Sequence, residues 1–315
     1  MIKIDVKQPD LEEILADFLE EKRSKRLSPA TIDYYENNIH NFIVFTKTKN
    51  KNISHKDVNK KLINEYLVWL DRKYNYNTTS ANTALRAIRV FVYYMIERND
   101  LNIEPFKILL LPDNKRKKKE IYSTNELSKL LEKPNIKKTR FSTYRNWVII
   151  NFFLTAGARI KTTVNIQNQD IDLANQKITL FNYKTHHTYQ VSFYGKFKKI
   201  IEEYMGIRKG APEDYLFSTE YGEKLSRAGL RSAIVRYNNR RGVDRSNIHA
   251  FRHTFASLWI KNGGDPYRLM DLLDHQSMEI TKQYVHQFSD DESMKNYNPL
   301  ESLVDDDKEY INLNK

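Results

Sequence analysis

With 52 Lys and Arg against 40 Asp and Glu in 315 residues, the chain carries a net charge of +12, which fits a polyanionic partner, nucleic acid first. An apolar content of 40% with only 9 Gly and 8 Pro excludes disorder as the main theme and suits a folded, helix-leaning protein long enough for two domains. The lack of Cys removes disulfides, thiol nucleophiles and Cys-ligated zinc and suits a cytoplasmic protein, and no apolar run approaches the ~20 residues of a membrane span.

Asp10, with Glu13 three residues on, is an N-cap for a helix whose apolar positions Leu11, Ile14, Leu15, Phe18 and Leu19 share one face. A second helix begins at Ser28 with Pro29 in its first position and buries Ile32, Tyr35, Ile39, Phe42 and Ile43. Val58, Ile63, Tyr66, Leu67 and Leu70 mark a third. The fourth, from about Thr79 to Ile96, has two faces: Leu85, Ile88, Val92 and Met95 form an apolar stripe, while Asn82, Arg86 and Arg89 are expected to face the major groove of DNA. Residues 1–112 thus read as a helical DNA-binding domain.

Residues 113–122 are polar and strongly basic, the expected linker, with Arg116 and Lys118 as candidate DNA contacts. Ser123 and Glu126 form a capping box that opens a second domain, placed at 123–297. Within it Lys177–Tyr183 and Thr188–Tyr194 alternate in the manner of a β-hairpin around a polar turn, and later segments return to helical spacing, with Arg227 and Arg231 as further candidate DNA contacts. The expected fold is mainly α with a small β-sheet: a helical bundle joined to a mixed α/β catalytic domain as a two-domain DNA clamp.

Four separated segments place polar residues in apolar surroundings. They are Thr155-Ala156-Gly157-Ala158-Arg159; the turn Lys184-Thr185-His186-His187; His249-Ala250-Phe251-Arg252-His253-Thr254-Phe255-Ala256; and Leu272-Leu273-Asp274-His275 followed by Thr281-Lys282-Gln283-Tyr284-Val285-His286. In order and spacing this set resembles the tyrosine recombinase (phage integrase) family over most of the chain, and the last two motifs are specific to it. The resemblance implies a site-specific recombinase that cleaves and rejoins double-stranded DNA through a covalent 3′-phosphotyrosine. Tyr284 would be the nucleophile, because a Tyr oxygen attacking phosphorus conserves bond energy in the covalent intermediate. Arg159 and Arg252 would hold the non-bridging oxygens, a task that planar guanidinium forks suit. Lys184 would protonate the leaving 5′-oxygen, and His249 and His275 would sit beside the phosphate. No cofactor and no metal are expected, since Arg and His supply the charge a divalent cation would otherwise bring.

His186, His187, His253 and His286 are expected to serve structure or DNA contact. Two positions depart from the family pattern: Thr162 stands where an acidic residue is common, and Asp274 where Gly precedes the His. An Asp there is expected to repel phosphate unless it points away.

The resemblance further implies a homotetramer acting on two DNA sites, with residues 298–315 as a tail able to dock on a neighbouring protomer through Leu300, Leu303 and Val304. The expected role is the integrase or resolvase of a mobile element; a chromosome-dimer resolvase of the Xer type and a non-catalytic sequence-specific DNA-binding protein are the alternatives. A metal hydrolase using His249 and His253 is the weaker rival, because Ala250 occupies the place of a general-base Glu and Arg252 would repel a cation.

Overall fold

A computed structural model describes residues 10–49, 55–98, 111, 119–183, 185–275 and 277–285. Arg116, Lys118, Lys184, His286 and the tail at 298–315 lie outside the described residues. The chain divides into two compact units, Met1–Lys117 and Lys118–Lys315. Among the described residues, no helix is long and apolar enough to cross a membrane.

In the first unit four helices, α1 (Leu11–Ser24), α2 (Pro29–Lys49), α3 (Lys60–Tyr74) and α4 (Thr78–Glu97), follow the apolar spacing of the sequence. The Asp10 carboxylate accepts the backbone N–H groups of Glu12 and Glu13, and the Glu13 carboxylate accepts the Asp10 N–H in return, which satisfies donors a helix start leaves free. Asn59 and Asn77 cap α3 and α4 through their side-chain carbonyls. The core is aromatic at its centre: Phe18 meets Tyr35, Phe91 and Tyr94 edge-on at ring separations of 5.2 to 5.5 Å. Burying each such ring contributes about 1.5–3 kcal/mol relative to exposure.

One expectation for α4 is overturned. Asn82 does not share the exposed face of Arg86; it is only 6% exposed. Its amide donates to the Leu111 carbonyl at 3.0 Å and its carbonyl accepts the Leu111 N–H at 2.8 Å, so the chain leaving the bundle is tied back to the start of α4. The physical reason is position: Asn82 stands beside Ala81 and Leu85 at the margin of the buried stripe, where a side chain with both a donor and an acceptor can satisfy a stretch of backbone. Arg86 is exposed and Arg89 half-buried.

The second unit contains α5 (Thr124–Leu131), α6 (Phe141–Ala156), α7 (Ile160–Thr163), β1 (Ile171–Asp172), β2 (Lys177–Asn182), β3 (His187–Ser192), α8 (Gly195–Arg208), α9 (Arg227–Arg240), α10 (His249–Lys261), α11 (Pro266–Leu273) and α12 (Met278–Val285). The strands form one antiparallel sheet in chain order, with Ile178 opposite both Ile171 and Val191. The sequence hairpin is therefore present and gains an edge strand of two residues, too short to show a period. The middle of α6 is apolar on all sides, with Val148, Ile149, Ile150, Phe152 and Phe153 buried, and the helix packs against α5, α8, α9 and α10. It is the axis on which the site is hung.

Candidate active site

The site starts where α6 stops. Gly157 takes the left-handed conformation (φ 57°), its N–H bonds the Phe153 carbonyl at 2.9 Å, and the chain turns so that Arg159, two residues on, immediately precedes α7. A Cβ on Gly157 would lie 2.6 Å from side-chain carbons of both Leu273 and Phe255, so close helix packing as well as backbone angle requires glycine. Into this corner α10 projects Arg252, which is 4% exposed. Its Nη1 donates to the Gly157 carbonyl at 2.8 Å and its Nη2 to the Leu273 carbonyl, joining the ends of α6 and α11. Arg159 reaches the neighbouring residue: Nη2 donates to the Asp274 carbonyl at 3.2 Å and Nη1 lies 3.5 Å from Oδ2 of its carboxylate.

Two guanidiniums thus converge on the end of α11. Burial, and then the charge of Arg159, push the Arg252 pKa down to about 10. Positive charge held in so dry a corner favours an incoming anion, since a phosphate relieves the repulsion between the two arginines.

Tyr284, on α12, is 1% exposed and packs with Phe255, Ala256, Leu269 and Leu273. Its hydroxyl lies 2.8 Å from His253 Nδ1. The His275 ring lies parallel to it, within 5° at a centroid separation of 6.5 Å, and is held by Thr281 Oγ1 at 2.9 Å from His275 Nδ1. The Lys119 ammonium stands 4.0 Å from the Tyr284 ring centroid, within cation–π range. His249, first in α10, meets His253 edge-on at 5.1 Å.

Burial raises the Tyr284 pKa to about 12, with the charge of Arg252 opposing it. Burial and nearby cations act the other way on the imidazoles: His253 is pushed down to about 4 and His275 to about 3. His249 keeps an edge open to solvent, yet atoms packed around it, and then Arg252, Arg159 and Lys119, lower its pKa as well. Lys119 is lowered by burial and by Arg252. At neutral pH the three imidazoles are uncharged and Tyr284 keeps its proton. An imidazole with its own proton on Nε2 then accepts the Tyr284 hydroxyl hydrogen at Nδ1.

The structure therefore brings together Tyr284, Arg159, Arg252, His249 and His275. Arg227 and Arg231 are exposed on α9, and Arg227 lines a cleft of about 430 Å³ with Lys161 and Lys224, so they belong to a basic surface and not to the cluster around the tyrosine. Thr162 donates to the Phe181 carbonyl at 3.2 Å, which replaces a charge with a neutral tie to β2. Asp274 does not point away: it is drawn between Arg159 and His187, whose Nε2 lies 3.2 Å from Oδ1. The structure also sets His253 and Lys119 against Tyr284. The signal for His253 was its place one turn after His249 on the same helix; Lys119, read only as linker charge, had none.

The profile of the phage integrase family matches residues 121–290, and that of the phage integrase N-terminal SAM-like domain matches residues 14–100. Among curated relatives, tyrosine recombinase XerD of Oceanobacillus iheyensis is 24% identical over 284 residues, covering 88% of this chain and 94% of the relative. Tyrosine recombinase XerC of Herpetosiphon aurantiacus is 26% identical over 294 residues, covering 91% and 93%. Among solved structures, the Tn1549 transposon integrase in complex with transposon right end DNA superposes with a TM-score of 0.70 at 16% identity over 94% of this chain and 99% of that one. A lambda integrase tetramer bound to a Holliday junction gives 0.69 at 14% identity over 87% and 80%. At such identities the structural likeness shows the fold.

Proposed function

The chain belongs to the phage integrase family of tyrosine recombinases, enzymes that cleave and rejoin DNA, and on that premise we propose that Tyr284 is its nucleophile, with Arg159, Arg252, His249 and His275 around the scissile phosphate. The observation that carries this reading is the Tyr284 hydroxyl, bonded at 2.8 Å to an imidazole that is uncharged at neutral pH and packed beside two converging guanidiniums.

In this mechanism the tyrosine oxygen attacks phosphorus and its proton passes toward His253. Arg159 and Arg252 take the charge that develops on the non-bridging oxygens, where donors fixed in advance need no reorganisation. The phosphorus–5′-oxygen bond breaks as the 3′-phosphotyrosine forms, and the leaving oxygen takes a proton from Lys184, the family's hairpin lysine in this sequence. Attack by the 5′-hydroxyl of a partner strand reverses these steps and joins the new strand. His249 and His275 donate to or orient the phosphate.

Arg86 and Arg89 of α4 and Arg227 and Arg231 of α9 bind the duplex from their respective units, and the linker residues Arg116 and Lys118 bind further phosphates. The protein acts as a homotetramer on two sites, a reading supported by the lambda integrase tetramer among its structural neighbours. Its role is recombination of a mobile element, supported by the transposon integrase of the same fold, while Xer-type resolution is the second reading, favoured by the curated relatives.

A suicide duplex that traps the cleaved strand tests the chemistry. Wild-type protein is expected to form a covalent protein–DNA adduct in the presence of a chelator, and Tyr284→Phe none. An adduct formed by Tyr284→Phe, or one that needs added Mg²⁺, overturns the mechanism.

A further inference from the structure

Asp274 occupies a place where the family pattern has Gly, and three features give it more than a neutral substitution. It ends α11 in the left-handed conformation (φ 50°, ψ 55°), which glycine adopts freely and which Asp tolerates at a modest cost. Its carboxylate is largely withdrawn from water, with the side chain 11% exposed. Both of its oxygens face donors on other elements: Oδ2 lies 3.5 Å from Arg159 Nη1, at the start of α7, and Oδ1 lies 3.2 Å from Nε2 of His187, the first residue of β3.

The chain of contacts continues beyond the imidazole. His187 Nδ1 lies 2.8 Å from Thr185 Oγ1, inside the β2–β3 turn. With Nδ1 unprotonated the ring accepts from the Thr185 hydroxyl, while Nε2 lies 3.2 Å from the carboxylate in an electrostatic contact. Thr185 directly follows Lys184 in the sequence. A desolvated carboxylate with no partner would be costly, and the bond from Arg159 together with the His187 contact offsets that cost.

We propose that Asp274 is a positioning residue for DNA cleavage: its carboxylate joins Arg159 to His187 and through Thr185 to the β2–β3 turn, holding the guanidinium and the turn in one geometry before DNA arrives. Arg159 keeps N–H groups beyond those bonded to Asp274 for a phosphate, so the clasp orients the guanidinium without using it up. Loss of the carboxylate leaves Arg159 its bond to the Asp274 carbonyl but cuts the tie between the guanidinium and the turn, and small misplacements of such groups cost rate more than binding.

This inference rests on the recombinase reading above, and the experiment separates the two. Single-turnover cleavage of the suicide duplex is measured at saturating DNA, with Kd measured apart, for Asp274→Gly, Asp274→Asn, His187→Ala, His187→Gln and the pair Asp274→Gly with His187→Ala. Asp274→Gly restores the family residue without backbone strain and is expected to slow cleavage by about tenfold while Kd stays within about twofold. Asp274→Asn and His187→Gln keep one partner of the bond and are expected to recover part of the rate lost by Asp274→Gly and His187→Ala. The double variant is expected to be no slower than the slower single variant, because both remove the same link. Asp274→Gly cleaving as fast as wild type or faster, a change confined to Kd, or full multiplication of the two single effects overturns the proposal. Tyr284→Phe run in parallel decides the other matter: if it forms adduct, the reading of the site fails whatever the Asp274 variants do.

Discussion

Tyr284, its pKa raised to about 12 by burial, keeps its proton at neutral pH, so in the proposed mechanism reaction depends on where that proton goes when phosphate arrives. In that mechanism His253 takes it because the imidazole is uncharged, burial and Lys119 opposing its protonation. The same shifts bear on stability. His253 and His275 bind protons at about 4 and about 3 in the folded chain against 6.5 ordinarily. Between pH 6.5 and those values the unfolded chain takes up protons that the native state refuses, so stability falls as pH falls through that window and the effect levels off below it. Urea midpoints taken from neutral pH down to about pH 4.5 should therefore drop more steeply for wild type than for His275→Gln, which cannot titrate. Parallel curves for the two proteins would remove the histidine from the account.

At the scale of the element, the ends of helices hold the chemistry. The end of α6 supplies Gly157, whose carbonyl receives Arg252 and whose turn delivers Arg159; the end of α11 supplies the carbonyls of Leu273 and Asp274 to the same two arginines. Carbonyls that a helix leaves unpaired are here satisfied by the two guanidiniums that the proposed mechanism assigns to the phosphate. Gly157→Ala is expected to destabilise the second unit by more than ~1 kcal/mol, since it forces an L-residue to positive φ and drives a methyl into Leu273 and Phe255. It should also reduce cleavage through displacement of Arg159. A thermal midpoint equal to wild type would show that α10 and α11 can yield at this corner.

Positive charge takes two forms in this molecule. It is buried at the tyrosine, as in Arg252, and spread on the surface elsewhere, as in Arg86 on α4 and Arg227 on α9. Surface cations bind phosphates by releasing counterions, and removing one such cation lowers the salt dependence of binding. Arg86→Ala combined with Arg89→Ala is expected to weaken duplex binding and to reduce the slope of log K against log salt by about two, without altering the adduct formed at saturating DNA. Unchanged affinity and slope would place the DNA-facing surface of the first unit elsewhere. Asn82 is not part of this prediction, because its amide is already committed to Leu111.

The sequence by itself determined what short range can determine. The caps at Asp10 and Ser123, the apolar faces of α1 to α4 and the alternation of β2 and β3 are local patterns with partners within a few residues, and the order of Arg159, His249, Arg252, His275 and Tyr284 is a linear pattern legible through its likeness to a family. Tertiary structure decided the rest. Asn82 lies on the margin between the two faces of α4, where helical period assigns no side, and only Leu111 draws it inward. Residues 171 and 172 form a strand because β2 is beside them, not because two residues show a period. Which way Asp274 points was open in the sequence because its partners are Arg159, 115 positions away, and His187 across the sheet edge. Lys119 and His253 acquire their places in the same manner: a charge or an imidazole takes its chemistry from what burial sets beside it, and that neighbour is fixed by the packing of α10, α11 and α12.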